Sequence, residues 1–279
     1  MDVLATGLGA LEGPVVCQDG SVLVTSIDRG KLYRLLNGRV EIFAATGGGP
    51  NGATEGLDSQ IFVAQNGGVP PAKNEIPSLA GVQVVGPQGD VRMLGSGMHS
   101  PNDLCFGPDG LLYVTDPTRK PERDEGRIWR CNVQTGECTL MMMCDWYPNG
   151  IGFGFEDDYV YVADSRHCRI VRIPLEGFCT DCVQTVIRID HGIPDGFAFD
   201  AEGDLLVACP TRAPEGGDVQ VYADGKLRQV IKPGTSKLYT NLAISPDGRI
   251  YVCDADTGSV LCDTWRSPAL PLHPFRIRP

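Results

Sequence analysis

The chain has 279 residues, room for one large all-β domain or two ordinary ones, and 35 glycines with 21 prolines beside 42% hydrophobic residues describe a turn-rich globular protein rather than a bundle of long helices. A net charge of −11 excludes a nucleic-acid surface, which needs clustered Lys and Arg, and suits a cation in a carboxylate-lined site, although a solvated acidic surface would give the same balance. No apolar run approaches the ~20 residues needed to cross a bilayer, so neither a membrane nor a nucleic acid is expected as a partner.

Taken from the start, Met1 to Gly7 carries neither a basic nor an apolar leader region. The eleven cysteines are odd in number and lack a disulfide-framework spacing, so reduced thiols and a cytoplasmic location are the expectation. Cys179 and Cys182 form a lone CxxC without a second pair, and neither a zinc site nor a redox pair is expected there.

A phrase then recurs along the chain. It begins with a small residue or Pro, then Asn, Asp or Glu. A short apolar strand follows, then a turn that is often Asp-Gly, then a second strand ending in Asp or a small residue. Loose copies begin at Glu12-Gly13-Pro14 and Pro50-Asn51-Gly52. Clear copies begin at Pro101-Asn102-Asp103, Pro148-Asn149-Gly150, Pro194-Asp195-Gly196 and Thr240-Asn241-Leu242. Positions 14, 50, 101, 148, 194 and 240 stand 36, 51, 47, 46 and 46 residues apart. Further alternating runs follow within the copies, such as Lys31–Leu35, Arg127–Arg130 and Arg169–Ile173, then Val40–Phe43, Val91–Leu94 and Val183–Ile187. Four strands per unit and six units predict an all-β, six-bladed β-propeller of four-stranded antiparallel blades, one domain over residues 1–279. The sixth unit lacks a fourth strand, which Asp2–Ala5 is expected to supply, closing the ring and hiding its edges. The proline-rich tail, 267–279, reads as a capping or loose segment.

In a propeller the residue before each inner strand faces the central channel. Here those six are Glu12, Asn51, Asn102, Asn149, Asp195 and Asn241. Asn and Asp are depleted in strands, and a blade needs neither at this place; turn capping alone would account for any one of them but not for six in register. Six oxygen donors, two of them carboxylates, on one axis suggest a hard divalent cation such as Ca²⁺ or Mg²⁺.

Leu11-Glu12-Gly13-Pro14, Ser100-Pro101-Asn102-Asp103, Pro148-Asn149-Gly150, Tyr161-Val162-Ala163-Asp164-Ser165 and Pro194-Asp195-Gly196, in this order, resemble the SMP-30 (regucalcin), gluconolactonase and luciferin-regenerating-enzyme family. Diisopropyl-fluorophosphatase is a more distant likeness. The resemblance implies a hydrolase, in the first place a lactonase, acting on a small-molecule lactone or ester as a monomer or weak homo-oligomer. It implies Glu12, Asn149 and Asp195 as metal ligands, with Asn102 reaching metal or substrate and Asp103 behind it. The cation it implies is Ca²⁺ first, with Zn²⁺, Mn²⁺ or Mg²⁺ as alternatives. Asn51 and His99 complete the expected substrate contacts.

Two departures bear on the substrate. Where sugar-lactonase members place an Arg for substrate hydroxyls, two residues before the Asn-Asp pair, this chain has Ser100. A substrate less hydroxylated than a sugar lactone is therefore expected. Met141-Met142-Met143-Cys144 and Trp146-Tyr147 stand directly before Asn149, and read as the outer strand and loop of the third blade.

The expected chemistry is Lewis-acid polarisation of the lactone carbonyl, with water as nucleophile and Asp195 as general base; direct attack by Asp195 stays open. His191, on another loop, reads as a surface histidine, and the absence of Gly-x-Ser-x-Gly argues against a serine nucleophile. The alternatives are a phosphoester or phosphofluoridate hydrolase on the same metal and a non-enzymatic ligand-binding propeller.

Overall fold

A valine with no exposed surface occupies the second strand of every blade: Val24, Val63, Val114, Val162, Val207 and Val252. Each lies where one blade packs face to face on the next, and each such side chain contributes about 1.5–3 kcal/mol of burial. The computed structural model describes residues 1–68, 74–119 and 125–276, and in it the repeat resolves into six four-stranded antiparallel sheets.

Strand β1 (Asp2–Ala5) precedes the first blade, which comprises β2 (Leu11–Val16), β3 (Val22–Ser26), β4 (Lys31–Leu36) and β5 (Arg39–Ala45). Blade two is β6 (Pro50–Glu55), β7 (Ile61–Gln65), β8 (Gly81–Val85) and β9 (Val91–Ser96). Blade three is β10 (Leu104–Phe106), β11 (Leu112–Pro117), β12 (Gly126–Cys131) and β13 (Cys138–Cys144). Blade four is β14 (Pro148–Phe153), β15 (Tyr159–Asp164), β16 (Arg169–Pro174) and β17 (Gln184–Arg188). Blade five is β18 (Phe197–Phe199), β19 (Leu205–Cys209), β20 (Asp218–Ala223) and β21 (Lys226–Ile231). Blade six is β22 (Tyr239–Ile244), β23 (Arg249–Asp254) and β24 (Ser259–Thr264), completed by β1.

The closure expected of Asp2–Ala5 is present: Asp2 pairs with Cys262 and Val3 with Leu261, antiparallel. Burial falls outward along each blade. Strands β3, β7, β11 and β19 are buried throughout, whereas β5 and β21 are almost wholly exposed. A second strand covered on both faces reads as a continuous apolar run, and an outer strand keeps its charges. The Asp-Gly turns work as read: Gly110 and Gly248 adopt φ of 75° and 76°, a backbone region that glycine enters without Cβ strain.

The tail caps rather than hangs loose, as far as residue 276. Ala269 forms a bridge with Asp200, Leu270 donates its N–H to Phe199 O, and His273 Nε2 meets Asp157 at 3.0 Å. Leu270 thereby closes the end of the channel opposite Glu12, over an apolar cavity of roughly 120 Å³ bordered by Leu104, Ile151, Phe197 and Leu242. Among the described residues no helix is long and apolar enough to cross a membrane.

The cysteines correct the sequence expectation. Cys131 and Cys138 form a disulfide, as do Cys179 and Cys182; the other seven are free. Cys131 and Cys138 are direct cross-strand partners in the β12–β13 hairpin, with Cα atoms 4.0 Å apart. Cys179 and Cys182 are brought together by a short 3-10 turn, Thr180–Cys182. Both pairings depend on hairpin register and turn geometry that spacing alone does not show, and they remove the cysteine argument for a reducing compartment.

Candidate active site at the channel mouth

The axis-facing residues are aimed by irregularities in the inner strands. Register shifts fall between Glu12 and Val15, Pro50 and Ala53, Pro148 and Ile151, and Tyr239 and Asn241. A bulge turns a side chain out of the pleat, so Glu12, Asn51, Asn149 and Asn241 stand inside the strand rather than before it. β10 and β18 are only three residues long, and there Asn102 and Asp195 do precede the strand.

The glycine that follows most of these residues has a steric origin. A Cβ on Gly52 would lie 2.6 Å from the Asp103 Cα, and one on Gly150 would collide with Asp195 O. Neighbouring blades touch at the axis through main chain, and only glycine fits. Hydroxyls fasten the same contacts. Thr25 Oγ1 donates to Asn51 O at 2.6 Å, Thr115 Oγ1 to Asn149 O at 2.7 Å, Ser165 Oγ to Pro194 O at 2.6 Å and Thr240 Oγ1 to Leu11 O at 2.9 Å.

Glu12 is buried, and its Oε2 accepts from Gly13 N–H at 3.0 Å and from Asn241 Nδ2 at 3.1 Å. Burial pushes its carboxyl above the usual range, opposed by those donors and by the Arg119 guanidinium. Asp195 is pushed well above its ordinary value by burial and then by the charge of Glu12, with Arg119 and the Asn149 amide pulling back. Asp103 rises to about 8, again through burial first and Glu12 second. Three carboxyls thus crowd one axis, and the charge of Glu12 disfavours ionisation of the other two.

The amides are held nearby. Asn149 Nδ2 donates to Ser165 Oγ at 3.1 Å, and Asn102 Nδ2 faces the Tyr147 hydroxyl at 3.5 Å. Asn51 Oδ1 is buried with no hydrogen-bond partner. An orphaned buried acceptor is costly in a finished core, and it suits a position that a cation or its water would occupy. Among the described residues no three His, Cys, Asp or Glu side chains converge on one point; the donor set is carboxylates supplemented by amides, which suits a hard ion.

Asn149 and Asp195 border a cavity of roughly 640 Å³, whose wall also includes Tyr147, Ser165 and Arg119. Glu12, Asn51 and Asn102 are buried beside it, and Asp103 and Asn241 border the cavity on the tail side. His99 is exposed and does not border either cavity; its N–H donates to the Asp116 carboxylate. His191 is tied to Asp218 at 3.0 Å. Ser100 has no exposed surface and gives its hydroxyl to Pro117 O. Met142, Cys144 and Trp146 are core residues, as the sequence suggested, while Tyr147 turns toward the site. Sequence reasoning missed Arg119, Ser165 and Tyr147; the one signal for Ser165 was its place directly after the Asp that ends β15.

The SMP-30/gluconolactonase/LRE-like region model matches residues 11–256. The chain belongs to that family. Among curated relatives, the gluconolactonase of Zymomonas mobilis is 25% identical over 295 aligned positions, covering 91% of this chain and 78% of that protein. Adipocyte plasma membrane-associated protein of Rattus norvegicus is 28% identical over 228 positions, 72% of this chain and 60% of that protein. The chain thus spans a little over half the length of such relatives. Two family structures share the fold: a gluconolactonase from Xanthomonas campestris (TM-score 0.75, 19% identity, 96% of this chain and 89% of that one) and the calcium-binding regucalcin of Agrobacterium tumefaciens (TM-score 0.74, 22%, 99% and 97%).

Proposed function

We infer that the chain is a metal-dependent hydrolase that opens a small lactone ring, with Glu12, Asn149, Asp195 and Asn102 holding one divalent cation, Ca²⁺ before Zn²⁺, Mn²⁺ or Mg²⁺. The observation that carries this reading is the pair Glu12 and Asp195: a covered carboxyl and one that borders the open cavity, on an axis otherwise supplied with amides. The family's gluconolactonases support the lactone, and the regucalcin described as calcium-binding supports the ion.

The cation supplies Lewis acidity to the ester carbonyl when bound. The two carboxyls divide the remaining work by access. Asp195 borders the open cavity and is the carboxylate that a water there can reach. Glu12 is covered, with Oε2 engaged by Gly13 and Asn241, and serves as ligand only. Asp195 takes a proton from water as the oxygen adds to the carbonyl carbon. The acyl–oxygen bond of the ring then breaks, the ring oxygen receives that proton, and a hydroxy acid leaves. Asn102, Asp103 and Asn51 orient substrate or ligand shell, while His99, exposed away from the cavity, has no part in the reaction. Burial of Ser100 leaves no guanidinium at the place that would hold sugar hydroxyls, which supports a less hydroxylated ring.

A panel of γ- and δ-lactones, assayed before and after chelation and after return of Ca²⁺, Mg²⁺, Mn²⁺ or Zn²⁺, tests the reading. Ring opening that is lost on chelation and restored by one ion is expected. Turnover indifferent to chelator, or turnover of phosphoesters only, overturns it.

A further inference from the structure

The wall of the 640 Å³ cavity is basic, in a chain whose net charge is −11. Arg119, Arg166 and Arg212 all line it. They arise at one topological place, the loop leaving the second strand, in three successive blades: β11 ends at Pro117, β15 at Asp164 and β19 at Cys209. Arg119 Nε is buried without a hydrogen-bond partner, and Arg212 has neither ion pair nor hydrogen bond among the described residues. A guanidinium nitrogen buried beside a cavity with its donor unused is a costly arrangement unless a ligand completes it. Elsewhere around the ring this place is different. After β3, Arg29 is tied to Gly7 O and Tyr33 Oη, and after β23 the chain continues with Ala255 and Asp256.

Beside the arginines the wall is aliphatic, with Ile193 and Leu238 44% and 38% exposed. Large apolar side chains left open next to unpartnered guanidinium donors match a ligand with an aliphatic body and an anionic end.

We propose that the substrate is an anionic lactone: a ring whose ester faces Asp195 and Asn149 and whose substituent is a carboxylate held by Arg119 and Arg212, with its aliphatic edge on Ile193 and Leu238. This rests on the lactonase reading for the ester but not for the anion. Guanidinium–carboxylate pairing is bidentate and charge-assisted, so each contact is worth about tenfold or more in affinity. A neutral sugar ring could accept from the same donors through its hydroxyls but would forgo the charge-assisted pairing.

The test pairs two measurements on the cation-loaded full chain. First, kcat/KM is compared for γ-butyrolactone and its γ-carboxylate. The carboxylate is expected to be favoured about tenfold or more, mainly through KM, and the preference to shrink as salt is added. Second, calorimetry compares tetrahydrofuroate with tetrahydrofurfuryl alcohol, ring mimics that cannot be hydrolysed. Tetrahydrofuroate is expected to bind more tightly, and Arg212→Gln and Arg119→Gln are each expected to bring the ratio toward one, with Arg212→Lys retaining part of it. Arg212 is exposed, so its variant keeps the fold, and circular dichroism checks both. Equal binding of acid and alcohol, or a preference that survives the double Gln variant, overturns the proposal. If neither lactone opens but tetrahydrofuroate still binds through the arginines, the anion site stands and the lactonase reading falls. If both lactones open alike and tetrahydrofuroate has no advantage, the reverse holds.

Discussion

Asn241 donates its Nδ2 hydrogen to Glu12 Oε2 across 3.1 Å, joining residues 229 positions apart and locking the last blade to the first at the channel axis. Ring closure and the candidate ligand shell therefore share one bond. Asn241→Ala leaves a buried carboxylate short of a donor, an effect of about 1–3 kcal/mol on stability. The expected outcome is a lower urea midpoint together with weaker Ca²⁺ binding by calorimetry. Normal Ca²⁺ affinity in a destabilised protein would assign Asn241 to closure alone.

Gly150→Ala tests whether the small residue beside Asn149 is there for the axis rather than for the turn. Its Cβ would meet Asp195 O and lie 3.0 Å from the Gly196 Cα, and main chain on both sides leaves no rotamer to absorb it. Overpacking of this kind costs about 1–3 kcal/mol. Because the displaced backbone is that of Asp195, turnover is expected to fall far more than the thermal midpoint indicates. A variant as active as the parent would show that the neighbouring blades can separate without moving the carboxylate.

The architecture was legible because its cause is periodic. The second-strand valines, the turns that are often Asp-Gly and the Asn, Asp or Glu of each unit recur in register, and the unpaired run Asp2–Ala5 had one place to go. Glu12 and Asp195 were legible for the same reason, being the two carboxylates in six equivalent positions. Arg119 and Arg212 were not, since they sit in loops outside the recurring phrase, whose common direction appears only once the blades are arranged around an axis. The Cys131–Cys138 bond was hidden likewise, in the register of one hairpin. His99, close to Asn102 in sequence, is exposed and lies outside the cavity wall, and the Asp116 carboxylate accepts its main-chain N–H.

The tail offers a stability test remote from the chemistry. Leu270 is buried at 4% exposure over the lower cavity, whereas Leu272, two residues on, is 59% exposed. Leu270→Ala is expected to cost about 2–3 kcal/mol and Leu272→Ala less than about 0.5 kcal/mol in urea unfolding. Equal effects would mean that the tail covers the channel without sealing it.

Asp195→Asn keeps the size and hydrogen bonding of the side chain and removes its basicity. Under the proposed mechanism kcat falls by at least about a hundredfold while circular dichroism is unchanged. The variant also relieves repulsion with Glu12, so the metal-free protein is expected to become more stable. Greater stability with lost turnover is the signature of a carboxylate kept for function; parental turnover would remove Asp195 from the reaction.

The same repulsion dictates how stability follows pH in the metal-free chain. Burial raises Glu12, and burial together with the charge of Glu12 raises Asp103 and Asp195 in the folded state, Asp103 from 3.8 to about 8. A group whose folded value is raised binds more protons when folded than when unfolded. Its contribution is complete below the unfolded pKa and is lost as pH climbs through the folded one. For Asp103 that window runs from 3.8 to about 8, so the chelated protein is expected to melt at progressively lower temperature across it. Asp103→Asn removes one titrating group and flattens the slope. A divalent cation needs the ligand carboxylates ionised, so the stabilisation that added Ca²⁺ gives should grow with pH over the same window, opposing the decline. Melting curves at several pH values, with chelator and with Ca²⁺, read both slopes. Parallel curves, with Ca²⁺ adding the same increment throughout, would mean that the ion binds somewhere other than among these carboxyls.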